Sequence, residues 1–485
     1  MIFSSQLFLL VFLPSFIVVY YIVPSNIKAK NVVALIASVL FFSWGEPVNV
    51  FVLILSTLVH YFTASRVITN KKCQDSIKRY SVIILIALDI GLLVNFKYLD
   101  FIRHIFWIGI NSHEQIAQRS IMSFLGISFI TFHQISFLVD LYVGRCKLPR
   151  LLDYALYIFL FPQLIAGPII RYHDIGEQFV HRDHNVHKFL HGMLIFSIGL
   201  TKKIIVADPL GLMADSVFSL PLVDLSTIYA WLGIFAYTFQ IFFDFSGYSD
   251  MAIGLGLMMG FTFPKNFDWP YIATSITDFW KRWHISLSSW MRQYLYIPLG
   301  GNRAPAYRTY LNLWAVFLLS GLWHGASLNF IVWGGYHGFF LSAERALRNR
   351  FYCPVLLKRI YALMVVTIGW VFFRSPTLGY AFDYLQVLAG KSHSLNGVGF
   401  APFGWIFSDR SLVTLGAAFL IAATPLGSKC ASNIRHIAKY FEESGSNALN
   451  SLALLIKFLL VLFLLFCSVT ALVSSGYTPF LYFRF

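Results

Sequence analysis

Long apolar segments separated by short basic loops run through nearly all of this 485-residue sequence, and they restrict its fold more than any other feature. Hydrophobic residues make up 58% of the chain and charged residues 12%, whereas soluble domains are roughly a quarter charged. A helix needs about 20 mostly apolar residues to cross a bilayer. The sequence therefore excludes a soluble protein and predicts an all-α, polytopic membrane protein with about 11 transmembrane helices.

Some apolar runs, such as 99–111, are too short to cross a bilayer alone. Segments of that length are typical of re-entrant or interfacial elements, which persist at membrane depth only where protein or water surrounds them. We therefore expect a packed centre with its own cavity. Because no repeat or flexible linker divides the chain, we predict one domain over residues 1–485.

The basic residues predict the orientation of the chain in a cytoplasmic membrane. The first apolar run, 3–24, lacks the basic start and small-residue cleavage site of a signal peptide, so we interpret it as a retained first span. Lys and Arg are retained on the cytoplasmic side. This retention explains the net charge of +15, so the charge does not indicate nucleic-acid binding. One cytoplasmic loop is marked by Arg66, Lys71, Lys72, Lys78 and Arg79.

A first candidate site lies in residues 279–303, FWKRWHISLSSWMRQYLYIPLGGNR. Alternating aromatic and basic residues are typical of a helix at a membrane interface, and an anchoring role would explain most of the pattern. It does not explain His284, which lies between Trp283 and Ile285 and precedes a group of serines. We therefore treat His284 as a candidate functional residue.

A second candidate is His324, in the apolar segment SGLWHGASLNF. An ionisable group within a span is costly and indicates a functional site by default. Gly321 and Gly325 would leave room for a substrate, although small residues are also ordinary helix-packing surface. On an unbroken helix His337 would face away from His324, so we favour a structural role for His337.

Other polar groups carry weaker signals. Asp244 and Asp250, in FDFSGYSDMAIG, do not share a helix face, so we expect each to hold a neighbouring donor or a helix end. We predict no metal site, because the pattern H-E-x-x-H is absent. Phosphate-binding glycine loops and the G-x-S-x-G pattern are absent too. Four histidines recur at helical spacing, and the sequence does not assign them a role. They are His181, His184, His187 and His191.

Several motifs together resemble the membrane-bound O-acyltransferase (MBOAT) family, in its bacterial polysaccharide-acetylating branch. They include DFSGYSDMAIG, NFDWPY, FWKRWHISLS, YIPLGGN and GLWHG within 244–338, together with FPQLIAGPIIRY at 161–172 and GLTKKIIVAD at 199–208. The resemblance implies a multi-helix core around a central tunnel, with His324 as the catalytic histidine and His284 as its companion there. It also places Trp323, Asp244 and Asp250 around the tunnel as supporting residues.

The resemblance further implies acyl transfer from a cytoplasmic thioester, acetyl-CoA or an acyl carrier, with no permanently bound cofactor. His324 would remove a hydroxyl proton, and His284 or a polar group such as Asn302 would steady the oxyanion. Four basic residues could hold the donor's phosphates or, equally well, anchor the topology. They are Lys281, Arg282, Arg292 and Arg303.

The acceptor stays open among alginate-like exopolysaccharide, cellulose-like polymer, peptidoglycan, teichoic acid and a periplasmic acetyltransferase that relays the acyl group. The expected surroundings are lipids of the bacterial inner membrane, with no nucleic acid as partner. Two rival functions are a polysaccharide-precursor transporter and a scaffold for another acetyltransferase. The transporter would move substrate without acyl turnover, and it is disfavoured because no inverted repeat is visible.

Overall fold

The computed structural model describes residues 2–24, 26–107, 124–165, 167–347, 353–391, 403–443 and 447–475, and these contain helices and no strands. The first six main helices are α1 (Phe8–Ile22), α2 (Ile27–Gly45), α3 (Asn49–Ile68), α4 (Asp75–Arg103), α5 (Ile127–Tyr142) and α6 (Leu151–Phe159). Next come α7 (Val186–Phe218), α8 (Thr227–Met258), α9 (Ile276–Arg282), α10 (Ile285–Met291), α11 (Ala306–His324) and α12 (Leu328–Ala346). The last five are α13 (Val355–Arg374), α14 (Leu378–Leu388), α15 (Asp409–Ala422), α16 (Pro425–Glu443) and α17 (Asn447–Ser475). Single turns occur at Phe161–Leu164, Tyr172–Ile175 and Phe403–Ile406.

The predicted all-α, multi-pass architecture is confirmed. By length and composition, seven helices of the described residues can each cross a membrane, or eight if the bent pair α15 and α16 is one span. Helices α1 and α5 are shorter apolar helices. Apolar side chains on α17 point outward, as in Phe466, which is 71% exposed. Such a surface suits hydrocarbon and not water. The full number of crossings and the central tunnel stay predictions.

The chain forms two compact units. Unit 1 comprises Met1–Gly192 and Ala252–Pro264, and unit 2 comprises Met193–Met251 and Lys265–Phe485. Both candidate histidines belong to unit 2, whose core is built largely from aromatic side chains, among them Trp280, Trp333 and Trp370.

In unit 1, polar side chains cover the carboxyl end of α8, where the last carbonyl groups of a helix lack partners within it. Because a helix carries partial negative charge at this end, cations are favoured there. The donors are Tyr21 Oη to Met258 O (2.6 Å), Tyr20 Oη to Met259 O (2.8 Å), Arg182 Nε to Met259 O (3.1 Å) and Lys188 Nζ to Gly260 O.

In unit 2, α7 and α8 pack against each other through glycines and ion pairs. A Cβ on Gly199 would lie 2.4 Å from Gly247 O, so only glycine allows this approach. Buried Lys203 Nζ lies 2.6 Å from Asp208 Oδ1 and 2.8 Å from Asp244 Oδ1. Asp244 therefore holds a neighbouring donor in this structure, and so does Asp250, which lies 2.6 Å from Lys202 Nζ.

We predict that Lys203→Met destabilises the protein by about 3–5 kcal/mol, because it leaves two buried carboxylates without their cation. Lys202→Met is the matched control. In the ion pair of Lys202 with Asp250, each side chain is 29% exposed. Loss of such a partly exposed pair costs about 0–1 kcal/mol. Thermal unfolding of purified protein in detergent measures both. Equal melting temperatures for the two variants would contradict the importance of the buried pair.

Candidate active site

His284 lies at a sharp break between α9 and α10. Its φ is +44°, and it is one of two non-glycine residues with positive φ in the described part of the chain. A left-handed residue cannot continue a right-handed helix and indicates local strain, which often marks functional sites. The single interfacial helix considered from the sequence of 279–303 is therefore wrong, because the backbone turns at this residue.

Asn266, from the loop that precedes α9, holds the His284 ring. Its Oδ1 lies 3.2 Å from His284 Nδ1, 3.1 Å from Ser286 N and 2.9 Å from Ser286 Oγ. The backbone N–H of Ser286 can only donate, which identifies the Asn266 atom as the oxygen. An amide oxygen can only accept, so His284 carries its proton on Nδ1.

This tautomer leaves Nε2 of His284 as an acceptor. Complete burial lowers the pKa of His284 to about 3, which keeps the ring neutral. A neutral ring with an acceptor nitrogen can accept a hydrogen bond or a proton. The oxyanion role expected of His284 from the sequence stays a prediction.

Glu344, on α12, fixes the start of the segment that carries His284. Its carboxylate accepts hydrogen bonds from the backbone of Ile276 (2.6 Å) and Thr277 (2.9 Å), the first residues of α9. Ser275 caps the same helix through Asp278 N at 2.9 Å. A carboxylate at a helix amino end satisfies unpaired N–H groups and the positive end of the dipole. Helix α12 thereby sets the position of α9.

His324 is the last residue of α11, at the tip of the α11–α12 hairpin. Its side chain is buried. A Cβ on Gly321 would lie 2.1 Å from Phe330 O, and one on Gly325 would lie 2.1 Å from the Phe330 ring. Of the two roles left open for these glycines, the structure shows helix packing. Helix α11 ends at His324, and His337 lies on the next helix, α12. The expectation that His337 faces away from His324 assumed one unbroken helix, so it does not apply.

Aromatic rings connect the two histidines. The Trp323 centroid lies 6.3 Å from that of His284 and 4.8 Å from that of His324. Trp333 and Phe373 contact the His324 ring edge-on, at 5.1 and 5.2 Å. The structure thus brings His284, Trp323 and His324 into one contiguous cluster. His337 also contacts Trp333, at 5.1 Å, so both histidines border the same indole.

Buried polar atoms in this cluster have unused hydrogen-bonding capacity. The indole Nε1 atoms of Trp280 and Trp333 and both ring nitrogens of His337 have no hydrogen-bond partner within the described residues. Leaving such groups unsatisfied costs about 1–3 kcal/mol each. A bound molecule or water with oxygen atoms would satisfy them, which makes the cluster suitable for binding a polar group.

The predicted donor-binding residues lie at various depths. Lys281, Arg292 and Arg303 are exposed. Arg282 is half-buried, with its Nε 2.8 Å from Asp278 Oδ1. Asn302 is exposed, and its Oδ1 accepts from Tyr296 Oη (2.7 Å) and Arg345 Nη1 (3.1 Å), so it belongs to a surface network.

The histidine stripe contributes elsewhere. His184 Nε2 lies 3.0 Å from Tyr20 Oη in unit 1, where burial and the nearby Arg182 lower its pKa to about 4. His187 is exposed. No group of three or more His, Cys, Asp or Glu residues with metal-binding geometry occurs within the described ranges.

Asn266 and Glu344 were not predicted from the sequence. Neither has a helical spacing from His284, because α9 lies between Asn266 and His284, and α10 and α11 lie between His284 and Glu344. The signal for Asn266 is its place in NFDWPY, one of the motifs that carry the resemblance. For Glu344, the only signal in the sequence is that an acidic residue lies near the end of an apolar segment.

We predict that Gly334→Ala disrupts the hairpin that carries His324. The new Cβ would lie 2.2 Å from Phe317 O, a backbone atom that cannot move alone. Gly335→Ala is the matched control, since its nearest contact would be an ordinary 3.6 Å. We expect the first variant to lower the melting temperature by several degrees, as about 2 kcal/mol of overpacking does. Equal melting of both variants would contradict the close packing.

Comparison with known proteins agrees with this arrangement. Residues 138–375 match the model of MBOAT, the membrane-bound O-acyltransferase family, and include both histidines. The chain is 39% identical to a probable alginate O-acetylase AlgI of Azotobacter vinelandii over the full length of both chains. It is 43% identical to its counterpart in Pseudomonas aeruginosa, over 80% of this chain and 75% of the relative.

A peptidoglycan O-acetyltransferase of Helicobacter pylori is 36% identical over 82% of this chain and 81% of its own length. These relatives match nearly the whole chain, and its helices are those of a multi-pass membrane protein. The chain therefore belongs to the membrane-bound O-acyltransferase family, and it is an O-acyltransferase.

Proposed function

We propose that the protein transfers an acetyl group from a cytoplasmic thioester, acetyl-CoA, to a hydroxyl group of an extracytoplasmic polysaccharide, within the bacterial inner membrane. The observation that carries the proposal is the pair of buried histidines on either side of Trp323. A buried, neutral imidazole is a suitable general base near neutral pH.

In the proposed reaction, a ring nitrogen of His324 removes the hydroxyl proton while the hydroxyl oxygen attacks the thioester carbonyl. The C–O bond forms, the C–S bond breaks, and the proton returns from His324 to the leaving thiolate, which departs as a thiol. The Trp333 ring borders His324, and its indole N–H, which has no partner within the described residues, is a candidate donor to the oxyanion. His284, which Asn266 holds and which borders Trp323, helps to position the substrate beside His324.

The exposed cations Lys281, Arg292 and Arg303 are available for the phosphates of the donor. For the acceptor, an alginate-like exopolysaccharide is supported by relatives named alginate O-acetylase at up to 43% identity. Peptidoglycan is the second possibility, supported by the relative at 36%. A periplasmic acetyltransferase that relays the group would use the same chemistry, because its acceptor would again be a hydroxyl.

We predict that His324→Ala lowers labelled-acetyl transfer from acetyl-CoA in isolated membranes by about 10²–10⁴-fold, as loss of a general base does. His284→Ala should lower it by about 10²-fold through misorientation of the substrate. His187→Ala, which removes an exposed histidine, is the control and should retain activity. Retained transfer in His324→Ala would refute the assignment and favour a scaffold or transporter.

We predict that Asn266→Asp makes activity sensitive to acid. A carboxylate beside Nδ1 raises the pKa of His284 from its low value of about 3, because it stabilises the charged ring. A charged ring disfavours the proton transfer to His324 and alters the contacts that hold it, so activity should fall as pH drops through the raised pKa. Wild type should show no such loss from His284 between about pH 5 and 8.

Asn266→Ala should lower activity at every pH, because it frees the ring to rotate. A pH profile of labelled-acetyl transfer, with membrane levels of each variant matched, distinguishes the two effects. Identical profiles for wild type and Asn266→Asp would show that Asn266 does not control the protonation of His284.

A further inference from the structure

An apolar groove runs along the surface of unit 1 between α1 and α2. Its volume is about 560 Å³, and its walls are almost entirely hydrocarbon. Helix α1 contributes Phe12, Phe16 and Val19, and helix α2 contributes Val33, Ala37 and Trp44. Helix α2 is long and apolar enough to cross a membrane, so a groove of this size along it is open to an apolar molecule.

The dimensions of the groove suit one lipid acyl chain. Its lining on α2 extends from Val33 to Trp44, which is about 16 Å of helix. One leaflet contributes about 15 Å of hydrocarbon to a bilayer. A single chain from one leaflet can therefore occupy the length of the groove.

Cationic side chains lie just beyond the Val33 end of the groove, outside its lining, and Lys30 among them is buried. Lys30 precedes Val33 by one helical turn, and its Nζ donates to Tyr20 O at 2.9 Å and lies 4.7 Å from the Tyr21 ring centroid. Phe189, next to Lys188, packs edge-on against that ring, with the centroids 5.4 Å apart. Arg182 Nη2 donates a hydrogen bond to Tyr20 Oη at 3.0 Å, so the guanidinium lies beside the same tyrosine as Lys30.

The cationic cluster of Lys30, Arg182 and Lys188 carries more positive charge than the groups around it neutralise. Lys30, Arg182 and Lys188 form no ion pair with a carboxylate of the described residues; their acceptors are neutral oxygens, several of them at the carboxyl end of α8. A helix end supplies about half a negative charge, and the carboxylate of Asp183, which acts on Lys188, supplies one more, against three cations. The surplus charge attracts an anion to the end of the groove.

The cluster lies on the predicted cytoplasmic side. Helix α2 runs away from Lys30 and α3 returns, so the basic loop that follows α3, with Lys71 and Lys72, is at the same side as Lys30. At that level the available anions in a membrane are lipid headgroups, and each nearby Lys or Arg adds about 1 kcal/mol to their attraction.

We propose that this groove is a binding site for one anionic phospholipid of the cytoplasmic leaflet, with an acyl chain between α1 and α2 and the phosphate near Lys30 and Lys188. A second copy of the chain fits the site less well. A symmetric pair in the same membrane would bring two surplus-positive clusters together, which is unfavourable.

The test uses full-length protein purified in mild detergent and mixed with equal amounts of phosphatidylglycerol and phosphatidylcholine. Native mass spectrometry then counts the retained lipids. We expect wild type to retain one phosphatidylglycerol in preference to phosphatidylcholine. Lys30→Gln should reduce that preference about five-fold. Lys28→Gln, at the same end of α2 but on its opposite face, is the matched control and should leave the preference unchanged.

Ala37→Trp fills the groove and should remove the retained lipid of either kind. Leu10→Trp adds the same bulk at a position on α1 that is 61% exposed and outside the groove, so it should retain the lipid. If Lys30→Gln does not fold, Lys188→Gln tests the same charge effect. Equal retention in Ala37→Trp and wild type, no preference for the anionic lipid, or conversion of dimers to monomers by Ala37→Trp would each overturn the proposal.

Discussion

A polar group inside a membrane protein has little water to bond to, so it must find its partners within the chain. That constraint explains much of the structure. Asn266 satisfies His284 and Ser286 with one amide oxygen. Two carboxylates surround Lys203. Around Trp333 and His337, ring nitrogens have no partner within the described residues, so they could still bond to water or to a bound molecule.

Features of this fold that depend on neighbouring residues in the sequence could be predicted, whereas features that depend on contacts between distant residues could not. Hydrophobic runs are local, so the all-α, multi-pass architecture could be predicted from the sequence. The break at His284 could not, because apolar and basic residues alternate smoothly through 279–303. The Asn266 amide that bonds to His284 and Ser286 at this break comes from a loop 18 residues before His284, and these contacts form only in the folded chain.

The two histidines illustrate the same limit. His324 could be singled out because a histidine in an apolar run is unusual. Its relation to His337 could not be calculated, since the chain reverses between α11 and α12 and both rings border Trp333. The glycines around His324 suggested two roles, and only their distances to Phe330 show that they pack the hairpin.

The positive φ of His284 has an evolutionary consequence. Glycine adopts such a conformation without strain, whereas a side chain with a Cβ destabilises the fold there. Replacement by glycine would therefore relax the backbone and at the same time delete the imidazole. At this one position, selection for a sturdier protein and selection for turnover act in opposite directions, and the persistence of histidine here would record which of the two has prevailed.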